Sequence, residues 1–185
     1  MNPTQDLTHE HEIVKQALKI LDQLCDRVET GEKPNTEHLT QIFEFLTVFV
    51  DTCHHGKEEE LLFPAMEQIG GAQVKPMITQ MLSEHQTGRT FVKKMKQAFA
   101  DYNAGQAKAI SVLIENARGY ITLLYNHIIK EDTILYVVAD QLLTPVQQKD
   151  VMEGFEKIEQ ERIGAGKHEE FHQFIHQLEN VYVKS

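Results

Sequence analysis

The sequence predicts an all-α protein, an antiparallel up-down-up-down four-helix bundle with two extra C-terminal helices. Three observations predict it. Apolar residues recur at alternating steps of three and four through long segments, which lays a narrow stripe along a helix. No apolar and polar alternation reads as a series of strands. Gly and Pro gather at five breaks, and the short connections make successive helices antiparallel.

The first helix falls at about 5–30, where Leu7, His11, Val14, Leu18, Leu21, Cys25 and Val28 form the stripe. Gly31 and Pro34 end it. The second, at about 36–69, carries Leu39, Phe43, Leu46, Val50, His54, Glu58 and Leu61. Pro64 lacks an N–H and should kink that helix or end it early. After Gly70, Gly71 and Pro76, the third spans about 75–103 on Met81, His85, Gly88, Val92, Met95, Phe99 and Tyr102. Gly105 separates it from the fourth, about 106–142, with Leu113, Ala117, Tyr120, Leu124, His127, Glu131, Ile134 and Val138. Thr144-Pro145 then reads as an N-cap followed by the first helical residue. Two shorter helices follow at about 145–163 and 167–183. Residues 1–143 are thus expected to form the bundle, and 144–185 an extension packed on it.

Composition narrows the function. The 185 residues are 41% hydrophobic and 25% charged, ordinary for a globular chain. Lys and Arg number 18 against 28 Asp and Glu, a formal net charge of −10. That balance lacks the basic footprint of a nucleic-acid or anionic-membrane binder. No apolar run approaches the roughly 20 residues of a membrane span, and the polar stretch Met1 to Leu7 is no signal peptide. Two Cys without C-x-x-C suit a reducing cytoplasm and exclude a disulfide scaffold. Ten His are the unusual feature.

The His fall into an internal repeat. His54-x-x-x-Glu58-Glu59-x-x-Leu62-Phe63 matches His127-x-x-x-Glu131-Asp132-x-x-Leu135-Tyr136, and upstream Glu10-His11 matches Glu84-His85. Each helical hairpin therefore brings one lone His and one His-x-x-x-Glu pair. Residues four apart share a helical face, so His54 with Glu58, and His127 with Glu131, can reach one centre. His11, His85, His127 and Glu131 lie on the apolar stripes and point inward. Carboxylates in an apolar core are costly unless paired or metal-bound. A metal explains all six residues: it offsets the two Glu and leaves the imidazoles neutral. The predicted ligands are His11, His54, Glu58, His85, His127 and Glu131. Imidazole plus carboxylate without thiolate suits Fe, Mn or Zn. Two carboxylates able to bridge point to two ions. Two octahedral metals offer about twelve positions, of which four His, two bridging Glu and a bridging oxo or hydroxo group leave about two open.

The stretches Glu10-His11-Glu12-Ile13, Cys53-His54-His55-Gly56-Lys57-Glu58-Glu59-Glu60-Leu61-Leu62-Phe63-Pro64, Ser83-Glu84-His85 and His127-x-x-x-Glu131-Asp132 resemble the hemerythrin-like (HHE cation-binding) family. The resemblance covers about residues 7–142. It implies a four-helix bundle around a non-haem di-iron centre that binds O2, responds to NO or peroxide, or senses iron. The chain departs from the oxygen carriers it resembles. They have a second His one turn after the third-helix His, where this chain has Arg89. Their last ligand pair is His-x-x-x-x-Asp, which would select Asp132, whereas the internal repeat selects Glu131. A more open, reactive or sensing centre is therefore expected rather than a simple carrier. His168, Tyr120 or solvent would fill the gap.

Other residues are expected to stand aside. His55 should point outward, and Lys57 with Glu59 and Glu60 should be solvated. Cys25 and Cys53 should be too far apart for a disulfide. The function expected is a di-iron protein that binds or reacts with O2, NO or peroxide. Redox activity toward peroxide or NO stays open. The alternative is an iron- or oxygen-responsive regulatory module acting through protein contacts.

Overall fold

A computed structural model of the chain describes residues 1–164 and 166–184, so Ala165 and Ser185 of the expected extension lie outside it. The described residues form helices and connecting turns, with no strand among them. Helix α1 is Pro3–Glu29. The Asn2 side chain accepts the Gln5 backbone N–H while the Gln5 side chain returns to the Asn2 N–H, so two orphan donors are satisfied together. Helix α2 occupies 36–70. It is α-helical over Thr36–Glu44 and Phe63–Gly70, with wider π turns over Phe45–His55 and Glu58–Leu62. It stops at Gly71, whose φ of +51° suits a residue without Cβ. Helix α3 is Lys75–Asn103. Helix α4 occupies 109–142, with a π turn at Glu131–Leu135 between Ala109–Lys130 and Tyr136–Leu142. Helix α5 occupies 145–163 and opens on the Thr144 cap, closed reciprocally by Gln147. Helix α6 is Lys167–Tyr182.

The π turns correct two expectations. Pro64 does not end α2. The Phe63 N–H reaches five residues back to Glu58, and Pro64 enters as one of the first residues of the α-helical turn that follows, where a missing N–H costs little. A wide turn also inserts one residue into the stripe, so the buried face moves on by one position. Leu62 and Leu135 are fully buried, while Leu61 is half-exposed and Ile134 is exposed. Ala139 likewise replaces Val138 on the inner face.

Helices α3 and α4 pack against each other along much of their length. Helix α1 meets α4 through Thr4 with Asp140, His11 with Asp132, the Lys15 carbonyl with Tyr125, and Asp22 and Asp26 with Arg118. Two apolar clusters result. One holds Leu18, Phe45, Phe49, Met95, Leu113 and, from α6, Phe171 and Ile175. The other holds Leu7, Leu62, Phe63, Met81, Leu135 and, from α5, Val151 and Phe155. Along every bundle helix the predicted ligand lies where one cluster gives way to the other: His11 follows Leu7 and precedes Val14, and His85 lies between Met81 and Met95. No described helix is long and apolar enough to cross a membrane.

Candidate metal centre

The four bundle helices bring all six predicted residues to this level. His11, His54, His85 and His127 are at most 2% exposed, and Glu58 and Glu131 are fully buried. The His meet in pairs. His11 Nε2 is 3.0 Å from His54 Nε2, and His85 Nε2 is 3.1 Å from His127 Nε2. On the far side of each ring, Nδ1 faces a carboxylate: Asp132 for His11 at 2.7 Å, Glu10 for His54 at 2.8 Å, Glu59 for His85 at 2.7 Å and Glu84 for His127 at 2.9 Å.

Those partners assign the proton. A carboxylate accepts, so each Nδ1 donates. A ring that yields its other proton to a metal presents a bare Nε2 lone pair, whereas without one, and against burial, Glu131 and Glu84 raise the His127 pKa to about 9. Two bare lone pairs 3.0 Å apart cannot hydrogen-bond to each other. They suit a shared cation. Metal–imidazole bonds of about 2.1 Å at a right angle put two nitrogens about 3.0 Å apart. Carboxylates that hold the other ring nitrogen orient the imidazole and raise its basicity, as metal-binding His require.

The two Glu lie between the pairs. Glu131 Oε2 is 3.3 Å from His11 Nε2, and its Oε1 is 3.0 Å from His127 Nε2. Glu58 Oε2 is 3.4 Å from His85 Nε2 and 3.8 Å from His54 Nε2, while Oε1 accepts the Tyr136 hydroxyl at 2.7 Å. Glu58 Oε2 and both Glu131 oxygens accept no hydrogen bond from a described residue. A buried acceptor left so costs about 1–3 kcal/mol, more when charged. Burial and the Glu131 carboxylate push the Glu58 carboxyl well above the usual carboxylate range. Burial also opposes ionisation of Glu131, but His127, His11 and His85 hold it well below that range. Three buried oxygens and four lone pairs converging on one volume fit a metal, and the donor set fits Fe, Mn or Zn without separating them.

The candidate donor atoms at this level form two groups, each with members within 4.8 Å of one another: His11, His54 and Glu131, and His55, Glu58, His85 and His127. Glu131 thus serves His11 and His54 of the first hairpin and Glu58 serves His85 of the second, while Glu131 also reaches His127 on its own helix. His55 corrects an expectation. It is 4% exposed, its ring stacks on His85 with centroids 3.8 Å apart, and its Nδ1 is 3.3 Å from Asp51. The wider winding of Phe45–His55 turns the chain less per residue, so neighbours His54 and His55 both stay inside.

Lys57 is not solvated either. Its ammonium is fully buried against Asp6 at 2.9 Å, Glu10 at 2.7 Å and Glu159 at 2.5 Å. Despite burial, this pairing raises the ammonium's pKa, and His168, His54 and Lys57 hold Glu10 well below its usual range. Glu10, Glu159 and His168 form a third acidic group, and Lys57 already supplies its cation. Among the weighed residues, Glu131 faces inward and Asp132 holds His11. Arg89 turns away to Asp51 and Glu59. His168 stops at Glu10, 3.4 Å away. Cys25 and Cys53 are buried free thiols.

Sequence reasoning missed the roles of Glu10, Glu59, Glu84 and Tyr136, although all four stand inside the repeated blocks. Each half does pair a carboxylate beside the lone His with one after the inner Glu, a pattern that a solvated helix face shows equally.

The family described as hemerythrin HHE cation binding domain matches residues 2–139. An uncharacterized protein of Mycobacterium bovis is 25% identical over 160 residues, which is 86% of this chain and 62% of that protein. Uncharacterized proteins of two Mycobacterium tuberculosis strains match to the same extent. This chain thus spans about 62% of the length of the curated relatives it matches. No solved structure matches it.

Proposed function

The chain belongs to the hemerythrin HHE cation-binding family, and from that premise we propose a non-haem di-iron protein that binds or reacts with O2, NO or peroxide. The proposed ligands are His11, His54, Glu58, His85, His127 and Glu131. One observation carries the reading: paired Nε2 lone pairs face each other with the unpaired oxygens of Glu58 and Glu131 between them. The pairing of α1 with α4, from Thr4–Asp140 at one end to Asp22–Arg118 at the other, supports an antiparallel up-down-up-down order.

Bound iron would supply one-electron redox chemistry and open positions for a small ligand. The chain's own residues do the rest. Asp132, Glu10, Glu59 and Glu84 fix the ring orientations. The Tyr136 hydroxyl donates to Glu58 at 2.7 Å and sits 3.4 Å from His11 Nε2, so it orients the inner carboxylate. Val14, Val50, Leu124 and Ile128 wall a small apolar chamber beside the His and keep water scarce.

A second reading, an iron- or oxygen-responsive regulatory module, is favoured by one contact. His168 of α6 touches the carboxylate that holds His54, which links the C-terminal helix to the centre.

The test is metal content per chain together with the near-ultraviolet and visible spectrum after expression in iron-supplemented medium. About two irons with charge-transfer bands are expected. Zinc alone, or no metal, would overturn the di-iron reading. Titration with O2, NO and peroxide then separates turnover from simple occupancy.

A further inference from the structure

Beside the centre lies a second cavity that the proposed chemistry does not use. It has a volume of about 430 Å³, within the range of small-molecule sites, and opens between α2, α3 and α4. Its apolar lining comes from Leu46, Val92 and the Tyr120 ring, and buried Gly88 keeps the wall beside Tyr120 thin. Its rim is cationic on a chain of formal charge −10. Arg89 is balanced there by Asp51 and Glu59. Lys96 donates to the Thr47 hydroxyl rather than to a carboxylate, and Lys93 lines the same rim.

A second observation points to a ligand. Tyr120 is 2% exposed, and its hydroxyl has no hydrogen-bond partner among the described residues. Burial, with Asp51 adding to it, raises the phenol, so it stays a donor at neutral pH. The hydroxyl is not one of the sealed, unpartnered polar atoms, so it opens to the cavity, where a ligand can accept from it. His55 closes the inner end. It lines both this cavity and the enclosed chamber beside His11, His54 and His127, so its ring is the partition between them.

We propose that this cavity binds a small organic anion with an apolar body and a second hydrogen-bonding group. Lys93 and Lys96 hold the anionic end, Leu46 and Val92 cover the body, and Tyr120 donates to the second group. The site is formed by the protein alone. Only its adjacency to iron, through His55, rests on the di-iron reading.

The probe is 4-hydroxybenzoate, titrated calorimetrically into the full-length protein without metal. Phenol lacks the charge and benzoate lacks the second polar group. Wild type is expected to bind 4-hydroxybenzoate at least tenfold more tightly than phenol. The surface double variant Lys93→Glu/Lys96→Glu should weaken 4-hydroxybenzoate and benzoate at least tenfold while leaving phenol unchanged. Tyr120→Phe should weaken 4-hydroxybenzoate several-fold and leave benzoate unchanged. No binding at millimolar concentration, or binding that neither variant moves, overturns the proposal. In iron-loaded protein the same probe should shift the charge-transfer bands. Binding by a protein that takes up no iron would support the cavity and sink the centre, so the two failures stay distinct.

Discussion

Each imidazole at the centre has a carboxylate partner on Nδ1, and that is where single residues matter most. Glu84 holds His127 and also receives Lys130, which with the His keeps its carboxyl down to about 2 despite partial burial. Glu84→Ala leaves the His127 Nδ1–H without an acceptor and the ring free to adopt the wrong tautomer. Iron affinity should fall about 10–100-fold with the ligand set intact, checked by competition with a calibrated chelator. An unchanged affinity would show that the carboxylates merely decorate the site. The six inner residues were legible because four of them interrupt apolar stripes in register with a repeat. The Nδ1 partners were not, because a carboxylate beside a His on a charged helix reads equally well as solvated. Lys57 was illegible for the same reason: its burial depends on Glu159, which lies 102 residues away.

The helices show where periodicity ends as a guide. Their number and extents follow from stripes and breaks, and the Thr144 cap and Asn35 cap obey local rules. The π turns carry no comparable mark, since extra width is set by what the inner face must place rather than by propensity. In both repeats a π turn begins at the inner Glu, Glu58 or Glu131, the position where such turns tend to coincide with function. The equivalence extends to position 137, which occupies the place of Pro64. Val137→Pro should therefore cost under about 1 kcal/mol in urea unfolding, against about 3 kcal/mol for proline in a helix interior. A full interior cost would mean that the α2 turn is shaped by Pro64 itself. Helix α6 supplies a pH dependence. The hydrogen bond to Glu10 raises the His168 pKa, with burial opposing it. A raised imidazole stabilises the docked helix fully below its unfolded value of about 6.5, and the gain is lost as pH rises through the folded value. The protection factors of amides over 167–182, each taken against the intrinsic exchange rate at that pH, should thus fall from pH 6 to pH 8, and His168→Gln should abolish that fall.

At the scale of the molecule, the two C-terminal helices are more than an attachment. Val151 and Phe155 complete one apolar cluster, and Phe171, Ile175, Leu178 and Tyr182 complete the other. Each large apolar side chain contributes about 1.5–3 kcal/mol on burial, against a typical net stability of about 5–15 kcal/mol. A chain ending at Leu143 should therefore lose cooperative unfolding, read by circular dichroism on heating. A sharp two-state transition would show that 1–143 stands alone. The net charge of −10 also acquires a location. Glu10, Glu59, Glu84 and Asp132 around the His are balanced by Lys57, Arg89, Lys130 and Lys15, whereas the inner Glu58 and Glu131 have no Lys or Arg partner among the described residues.

The exchange of carboxylates between the hairpins has a further consequence. His11 looks across to Glu131 and His85 across to Glu58, while Glu131 also reaches His127, and Glu58 His54, on its own helix. The first hairpin also borrows Asp132, and the second borrows Glu59. Neither half carries the whole set of converging donors, yet each offers what the other lacks. Cut in the turn at 71–73, the chain should become two complementary fragments that take up metal only on reassociation.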